Sequence, residues 1–529
     1  MNEEWYFNSD DSIIENSIQH KKESKLYQRE LSNNVQEYES IYEHFFLIGA
    51  KQIDALEKDV IRPKILFMYP SSPLLFDPKE YQTIIDHCFP NGFKEIQTGN
   101  KKNIFQQFIF RLNDTKRNSS IYGFCYQTHF HIFPNLFYED DSPATKYPVC
   151  FCLLTYIPMI STHFCFLHFI VISLLKKEKF IHNREITHKY IQPEEKETLL
   201  LDDMFYYEGG QKINSINIPS VLFSELKLYK ALHISSKSFS VKFSSKTEIF
   251  FPSNRKIDMH SYYTTLDCLF SVLSTKNIIK IISTLLLEKT IIIKSKHLHN
   301  LTFVNFALIS LLSPFKFNGL NFPILPNTEK YISLLDSPIP YLCGLYSLNN
   351  VNTSLGSIVV DLDKDYIHEN TEIPVIPDSQ KLIHRIEHVI NHPSILMPQK
   401  YNKNIFFQQI PKVNPEFLNF VKNIHYPHCP NTYYYNNPQK YIFNKSAVHD
   451  IIKIFRMHLA PKIQKLIEPF FITDSTDAES PITILNHNLL INALGDMEYS
   501  EVKFYNQFFT TINFHEFCEE KADEKEKQY

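Results

Sequence analysis

Glycine is scarce, with 10 residues in a chain of 529. Loops that cradle phosphate depend on glycine, because the backbone itself must come close to the phosphate oxygens. Neither a GxxxxGK[ST] nor a GxGxxG pattern occurs, and the pair Gly209-Gly210 stands alone and reads as a turn. The chain therefore lacks the phosphate loops of a nucleotide-hydrolysing enzyme. It also lacks a basic surplus: 54 Lys and Arg stand against 58 Asp and Glu, for a formal charge of −4. That argues against a nucleic-acid binder, which carries a basic footprint. No CxxC pair is found among the nine cysteines, which scatter through apolar segments such as Cys150-Phe151-Cys152 and Cys165. Reduced, buried thiols in a cytoplasmic protein are the simplest reading. HExxH, Cys-His zinc spacing and GxSxG are missing too, so no metal, no cofactor and no serine nucleophile is expected. The 23 histidines include His129 and His131, two apart, and His163 and His168 in an apolar run, but none has ligand spacing. The first residues, Met1 to Asp11, are polar and acidic and read as no signal peptide.

The length exceeds one hydrophobic core and suggests three or four units, at a prior of about 150 residues each. Hydrophobic residues make up 43% and charged residues 21%, an ordinary globular balance. One long apolar run, Val149 to Leu175, is followed by Lys176 and Lys177 and is long enough to cross a bilayer, which takes about 20 residues. Pro158, His163 and His168 interrupt it. The reading adopted is a buried strand to Ile157 and a buried helix after Pro158, with no transmembrane span.

Along the chain, residues 1–40 read as a polar arm. Strands are predicted at His44–Gly49, Lys64–Met68, Ile104–Leu112 and Ile121–Tyr126, with a short helix at Glu80–His87. Ile104, Gln106, Phe108, Phe110 and Leu112 alternate on one strand face, and Asn113–Ser120 is a polar turn, so the last two strands form a hairpin. These elements make a first unit over 41–175. Residues 176–245 read as a linker or insertion with some helix, such as Leu222–Leu232. A second unit over 246–392 holds an amphipathic helix with Ile278, Ile281, Ile282, Leu285 and Leu286 on one face and Asn277 at its N-cap. A strand at Thr290–Lys294, a helix at Leu298–Leu312 stopped by Pro314, and a strand at Ile358–Val360 follow, which predicts an α/β unit with a largely parallel sheet. Residues 393–440 are a Pro, Asn and Tyr-rich loop. A helical part over 441–520 carries Val448, Ile451, Ile452, Phe455 and Leu459 on one face, and Phe504, Phe508, Phe514 and Phe517 on another. Residues 521–529 are a charged tail, with fraying expected from Glu519.

The stretch Leu285-Leu286-Leu287-Glu288-Lys289-Thr290-Ile291-Ile292-Ile293-Lys294-Ser295 resembles the central signature of DENN-domain proteins. The resemblance continues in order through Leu301-Thr302, Leu311-Leu312-Ser313-Pro314-Phe315, Phe322-Pro323-Ile324-Leu325-Pro326, Pro338-Ile339-Pro340-Tyr341-Leu342 with Gly344, and Val359-Val360-Asp361-Leu362-Asp363. Upstream, Phe45-Phe46-Leu47-Ile48-Gly49, Phe89-Pro90-Asn91-Gly92 and Ile121-Tyr122-Gly123-Phe124 are similar to the longin-like part of such modules. Downstream, Phe504, Phe508, Thr511, Phe514 and Phe517 are similar to the helical part. Phe317 departs from the family, which often has tryptophan there.

The resemblance implies an α/β fold: an N-terminal longin-like lobe, a central α/β lobe, and helices packed on it. It also implies a Rab-family GTPase held in the cleft between the first two lobes, and exchange of its GDP for GTP in membrane traffic. Candidate contacts are Phe89, Pro90, Asn91, Gly92, Ser295, Leu298, Asp361 and Asp363. The expected setting is the cytoplasm, with peripheral contact to vesicle membranes. Two other readings stand beside it. One is a GTPase-activating protein of folliculin-like type, with Arg111 or Arg117 as the arginine finger; the other is a non-catalytic scaffold. Most signature residues read as structural: Pro323 and Pro326 fix a loop, and Gly344 permits a tight turn. Asp361 and Asp363 read as a cap or turn ahead of a metal or acid–base pair. Glu288 closes a helix and is expected to pair with a basic neighbour.

Overall fold

Apolar runs and alternating segments build the first sheet. The computed structural model describes residues 40–50, 62–70, 80–95, 105–114, 116–117, 119–129, 147–176, 207–208, 211–212, 220–234, 237–244, 247–253, 257–347, 357–391, 445–474 and 482–526. The polar arm up to residue 39 and the 393–440 loop lie outside them. Strand β1, His44–Ala50, is buried at every position. It is followed by β2 (Pro63–Tyr69), helix α1 (Tyr81–Cys88), β3 (Phe105–Asp114), β4 (Ser119–His129), β5 (Pro148–Thr155) and α2 (Ile160–Lys176). The strands form one antiparallel sheet in the order β2-β1-β5-β4-β3. Both faces are covered: Phe46 meets Tyr81 of α1, and Phe124 meets His163 and Phe164 of α2. Ile109 is therefore as buried as its neighbours Phe108 and Phe110, although it points to the opposite face.

The apolar run from Val149 is the strand and helix that its proline break predicts. No single helix among the described residues is long and apolar enough to cross a membrane. One helix pair, Thr264–Val272 with Thr275–Leu286, meets the length and composition test, but it is bent by 112°.

Within the stretch read as a linker, the described part holds a two-residue ladder of β6 (Tyr207–Glu208) and β7 (Gln211–Lys212), then α3 (Ser220–Lys230) and β8 (Phe239–Ser244), which pairs with β9 (Thr247–Phe251). From Ser220 onward this is core structure. Tyr229 is fully buried and stacks on Phe166 of α2 with ring centroids 3.8 Å apart, and the Tyr42 hydroxyl donates to the Leu226 carbonyl at 2.8 Å.

The second lobe opens with α4 (Ile257–Val272), which the sequence reading did not resolve, and α5 (Thr275–Leu286). Ser274 takes the N-cap position of α5. Asn277, expected there, lies in the first turn and donates instead to the Asp365 carboxylate and carbonyl at 2.8 and 2.9 Å. Then come β10 (Ile291–Lys294), α6 (Leu298–Leu311), β11 (Leu320–Phe322), α7 (Glu329–Ile332), β12 (Tyr341–Leu345), β13 (Ile358–Asp361), β14 (Tyr366–Glu369) and α8 (Ser379–Asn391). The sheet order is β11-β12-β10-β13-β14, with only the β13–β14 pair antiparallel.

The last part comprises α9 (Lys445–Arg456), α10 (Ala460–Ile467), β15 (Phe471–Asp474), β16 (Ile482–Leu485), α11 (His487–Asn492), α12 (Tyr499–Phe508) and α13 (Ile512–Glu526). Its antiparallel β15–β16 hairpin was not foreseen. Phe508 and Phe517 close on Phe315 of the second lobe. Helix α13 runs to Glu526, through the charged residues where fraying was expected, because Phe514, Phe517, Cys518 and Ala522 bury one side of it.

Candidate functional site: the seam between the two lobes

Parallel pairing of β10 and β13 puts Lys294 opposite Asp361, so both strands end at the same sheet edge. Such carboxyl edges are where α/β sheets commonly place ligand-binding loops. Here the two following loops are tied into a knot. Ser295 Oγ donates to Asp363 Oδ1 at 2.7 Å, and the Lys296 N–H donates to Asp363 Oδ2 at 3.0 Å. Lys294 Nζ lies 3.3 Å from Asp361 Oδ2, and the Asp363 N–H reaches Asp361 Oδ1 at 3.1 Å. The two aspartates thus serve a turn and an ion pair, so they do not form a free carboxylate pair. Ser295 and Leu298 are buried at 0% and 2% exposure, while Asp363 and Lys296 face solvent.

Phe89-Pro90-Asn91-Gly92 leaves the end of α1. Phe89 is buried against Phe93, ring centroids 4.8 Å apart. Gly92 has φ +83°, a left-handed conformation that favours glycine, and its N–H closes the turn onto the Phe89 carbonyl at 2.8 Å. Asn91 Oδ1 is buried without a hydrogen-bond partner. The Pro90 carbonyl accepts from the Asn327 N–H of the second lobe at 2.9 Å.

Asn327 is one of several seam residues that sequence reasoning missed. Its side chain donates to Ser347 Oγ at 3.2 Å, just past β12, so it links the 89–92 turn to the carboxyl edge of the second sheet. The Tyr331 hydroxyl donates to Asp86 Oδ2 at 3.0 Å, and the Tyr331 ring meets His87 edge-on at 5.1 Å. Burial holds His87 down at about 4, so it is neutral at the seam. Burial, with Asp86 adding to it, pushes the Tyr331 phenol up to about 12. Phe303 and Phe306 of α6 meet Phe164 and Tyr122 of the first lobe at 5.9 and 5.8 Å. These partners are far apart in sequence and carry no local motif. The only nearby signal was the Pro-rich loop that ends at Pro326.

Of the two arginines, Arg111 lies on β3 opposite the seam residue Tyr122, and Arg117 lies in the turn that follows. Arg111 Nε donates to Ser120 Oγ at 2.8 Å, across the β3–β4 ladder. Arg117 is exposed in the hairpin turn, its guanidinium 4.9 Å over the Tyr156 ring. The Tyr156 hydroxyl in turn donates to Asp114 Oδ2 at 2.5 Å. Neither arginine bonds to the Ser295–Asp363 knot. His163, from the apolar run, is a core residue: Nδ1 pairs with the Tyr229 hydroxyl and Nε2 with the Ile157 carbonyl, both at 2.8 Å.

Residues 63–128 match the family model described as the uDENN domain, and residues 146–365 match that of the DENN (AEX-3) domain. The second match begins at β5, so part of the first sheet falls within it. The DENN domain and WD repeat-containing protein SCD1 of Arabidopsis thaliana is 33% identical over 118 residues, 22% of this chain and 10% of that protein. DENN domain-containing protein 2B of Homo sapiens is 33% identical over 93 residues, 18% of this chain and 8% of that protein. Elicitor of plant defense protein 1 of Gibberella zeae is 32% identical over 128 residues, 24% of this chain and 10% of that protein. The chain thus matches about a tenth of the length of these curated relatives. With uDENN and DENN stretches in succession, the second carrying the signature that ends at Asp363, this chain is a DENN-domain protein.

Proposed function

We propose that the chain binds a Rab-family GTPase at the seam of its two lobes and promotes release of GDP. The observation that carries this reading is the Pro90–Asn327 hydrogen bond, which sets the 89–92 turn beside the carboxyl edge of the second sheet. The solvent-facing candidates Gly92 and Asp363, on this reading, border one surface, and the buried candidates Phe89, Pro90, Ser295 and Leu298 support it from beneath. On this reading the first lobe is the longin-like part of the module. Nanomolar to picomolar nucleotide binding is worth about 12–16 kcal/mol. An exchange factor makes no covalent bond; it binds the nucleotide-free GTPase best and so weakens nucleotide binding by linkage. Drawing the switch loops away from Mg²⁺ needs a wide contact, beyond the standard buried area of about 1,600 Å². Two lobes fixed to one another supply such a surface without a hinge to order.

The test is binding to a panel of nucleotide-free Rab proteins, followed by GDP-release rates for any that bind. Acceleration by at least about tenfold, a barrier lowered by about 1.4 kcal/mol, is the expected result. No binding to any member would sink the reading. Exposure of Arg117 keeps the GTPase-activating alternative open to test, since a finger must reach the γ-phosphate of its partner. Arg111, with its Nε committed to Ser120, is the weaker candidate of the two. Binding with neither activity is the scaffold outcome.

A further inference from the structure

Three of the nine cysteines meet beneath α1, and a fourth lies beside them. We propose that Cys88, Cys125, Cys150 and Cys152 form a thiolate site for a soft divalent cation, zinc by its chemistry, which clamps the end of α1 to the first sheet. Cys88 is the last residue of α1, Cys125 lies in β4, and Cys150 and Cys152 lie two apart on β5. Antiparallel pairing sets Cys125 directly opposite Cys152. The alternation of β5 turns Cys150 to the same face as Cys152. All four are fully buried.

The Cys88, Cys125 and Cys150 sulfurs lie within 4.8 Å of one another, while Cys152, opposite Cys125 on the neighbouring strand, stands outside that group. The Cys88 and Cys125 sulfurs are 3.7 Å apart. A tetrahedral site with Zn–S of about 2.3 Å has sulfur–sulfur edges of about 3.8 Å. Since 3.7 Å is also ordinary contact between two thiols, the distance alone decides nothing. The convergence of three sulfurs from three elements, with Cys152 beside them, carries the argument.

The surroundings point the same way: all four sulfurs are shut off from water, and a thiolate in an apolar core is a bare charge unless a cation joins it. Binding would release the remaining thiol protons to water and leave four metal–sulfur bonds, with no change in oxidation state. Such a clamp sits one residue before Phe89, so it would hold the turn that reaches Asn327. The search for CxxC spacing had no means of finding it, because the ligands come from a helix end and two strands.

The test uses the full chain, purified without chelator. Metal analysis should find roughly one equivalent of zinc per chain, as for a structural site. Replacement by Co²⁺ should give sulfur-to-cobalt charge-transfer absorption and intense visible bands of tetrahedral type. Cys88→Ser and Cys125→Ser should each lose the metal, while Cys165→Ser, outside the cluster, should keep it. If the cluster variants do not fold, the wild-type zinc content and cobalt spectrum still decide. Folded wild-type protein with no bound metal and no charge-transfer band overturns the proposal. So does a Cys88–Cys125 disulfide found by mass spectrometry in protein isolated under reducing conditions.

Discussion

The carboxylate of Glu288 caps the start of α13 at Asn513, across 225 residues of sequence, accepting the Asn513 N–H at 2.8 Å and the Ile512 N–H at 3.0 Å. Glu288 itself sits at φ +49°, in the left-handed region, at the turn from α5 to β10. The residue expected to find a basic side chain finds a helix N-terminus instead. A carboxylate there satisfies backbone donors that the helix cannot and meets the positive end of its dipole. The signature glutamate is thus the joint between the second lobe and the C-terminal helices.

Glu288→Ala should cost about 1–2 kcal/mol in urea unfolding, since it removes a cap and leaves strained backbone. Glu288→Gly should cost less, because glycine accepts the left-handed conformation while losing the same cap. Hydrogen exchange should speed up first at Ile512–Phe514. Equal costs for both variants would show that backbone strain contributes nothing here.

Gly344 gives a second stability test. It was read as a tight turn, but it lies in β12, where an added Cβ would stand 2.2 Å from the Pro323 carbonyl oxygen and 3.3 Å from Leu301 Cβ. The Gly344 carbonyl also accepts from the Leu325 N–H at 2.9 Å, so the 323–325 strip cannot slide away cheaply. Gly344→Ala should therefore destabilise by about 3 kcal/mol or more, the upper end of overpacking. Gly495→Ala, with nothing within 4 Å of the added carbon, should change stability by under about 0.5 kcal/mol. A mild Gly344→Ala variant would show that the Pro323 strip yields.

Those two residues also mark what the sequence could and could not convey. Periodicity and apolar runs located β1 to β5, α5, β10 and α6 because burial of a regular element leaves a local pattern. The apolar row of α5, from Ile278 to Leu286, is buried as its spacing requires. Contacts between distant elements leave no such trace. Nothing local to Glu288 names Asn513, nothing local to Pro90 names Asn327, and Cys88, Cys125 and Cys150, with no shared spacing, give no sign that they meet. Asn277 failed for a related reason: cap propensity is a local preference, and the tertiary partner Asp365 overrode it. Helix α3 was legible at Leu222–Leu232, but the β8–β9 hairpin after it hid in a mixed composition, because its buried residues Val241, Phe243, Ile249 and Phe251 are few and set among polar ones.

Stability should fall in mild acid through the buried histidines. Burial holds His163, His87 and His44 at about 4 and His299 at about 3, below the ordinary 6.5. The unfolded chain therefore binds protons first as pH drops. Their contribution is intact above about pH 6.5 and is lost between there and about 4, extending to about 3 for His299. His163→Gln should be less stable at pH 7.5, having weakened bonds to Tyr229 and the Ile157 carbonyl. Its further loss between pH 7 and 4 should be smaller than in the wild type by about 3 kcal/mol, at roughly 1.4 kcal/mol per pKa unit. Parallel curves for the two proteins would remove His163 from the account.

Exchange and hydrolysis separate on where charge appears. Hydrolysis builds charge on the γ-phosphate oxygens, and a cation placed there can add about 10³–10⁵ in rate. GDP release builds none; it needs contacts that hold the switch loops open. On the exchange reading, the protein speeds GDP release from its Rab partner and leaves single-turnover GTP hydrolysis unchanged. Arg117→Ala should then alter release by less than about threefold, a loss under about 1 kcal/mol typical of an exposed residue. Asp363→Asn, at the exposed corner of the Ser295 knot, should slow release more, with urea unfolding run beside it to separate lost contact from lost fold. Tyr331→Phe cuts the Asp86 tie at a buried side chain of the seam, and should loosen the setting of the lobes. It should lower the release rate more than the affinity for nucleotide-free GTPase. Faster hydrolysis that vanishes in Arg117→Ala would transfer the protein to the GTPase-activating class. Binding that leaves both rates untouched would make it a scaffold.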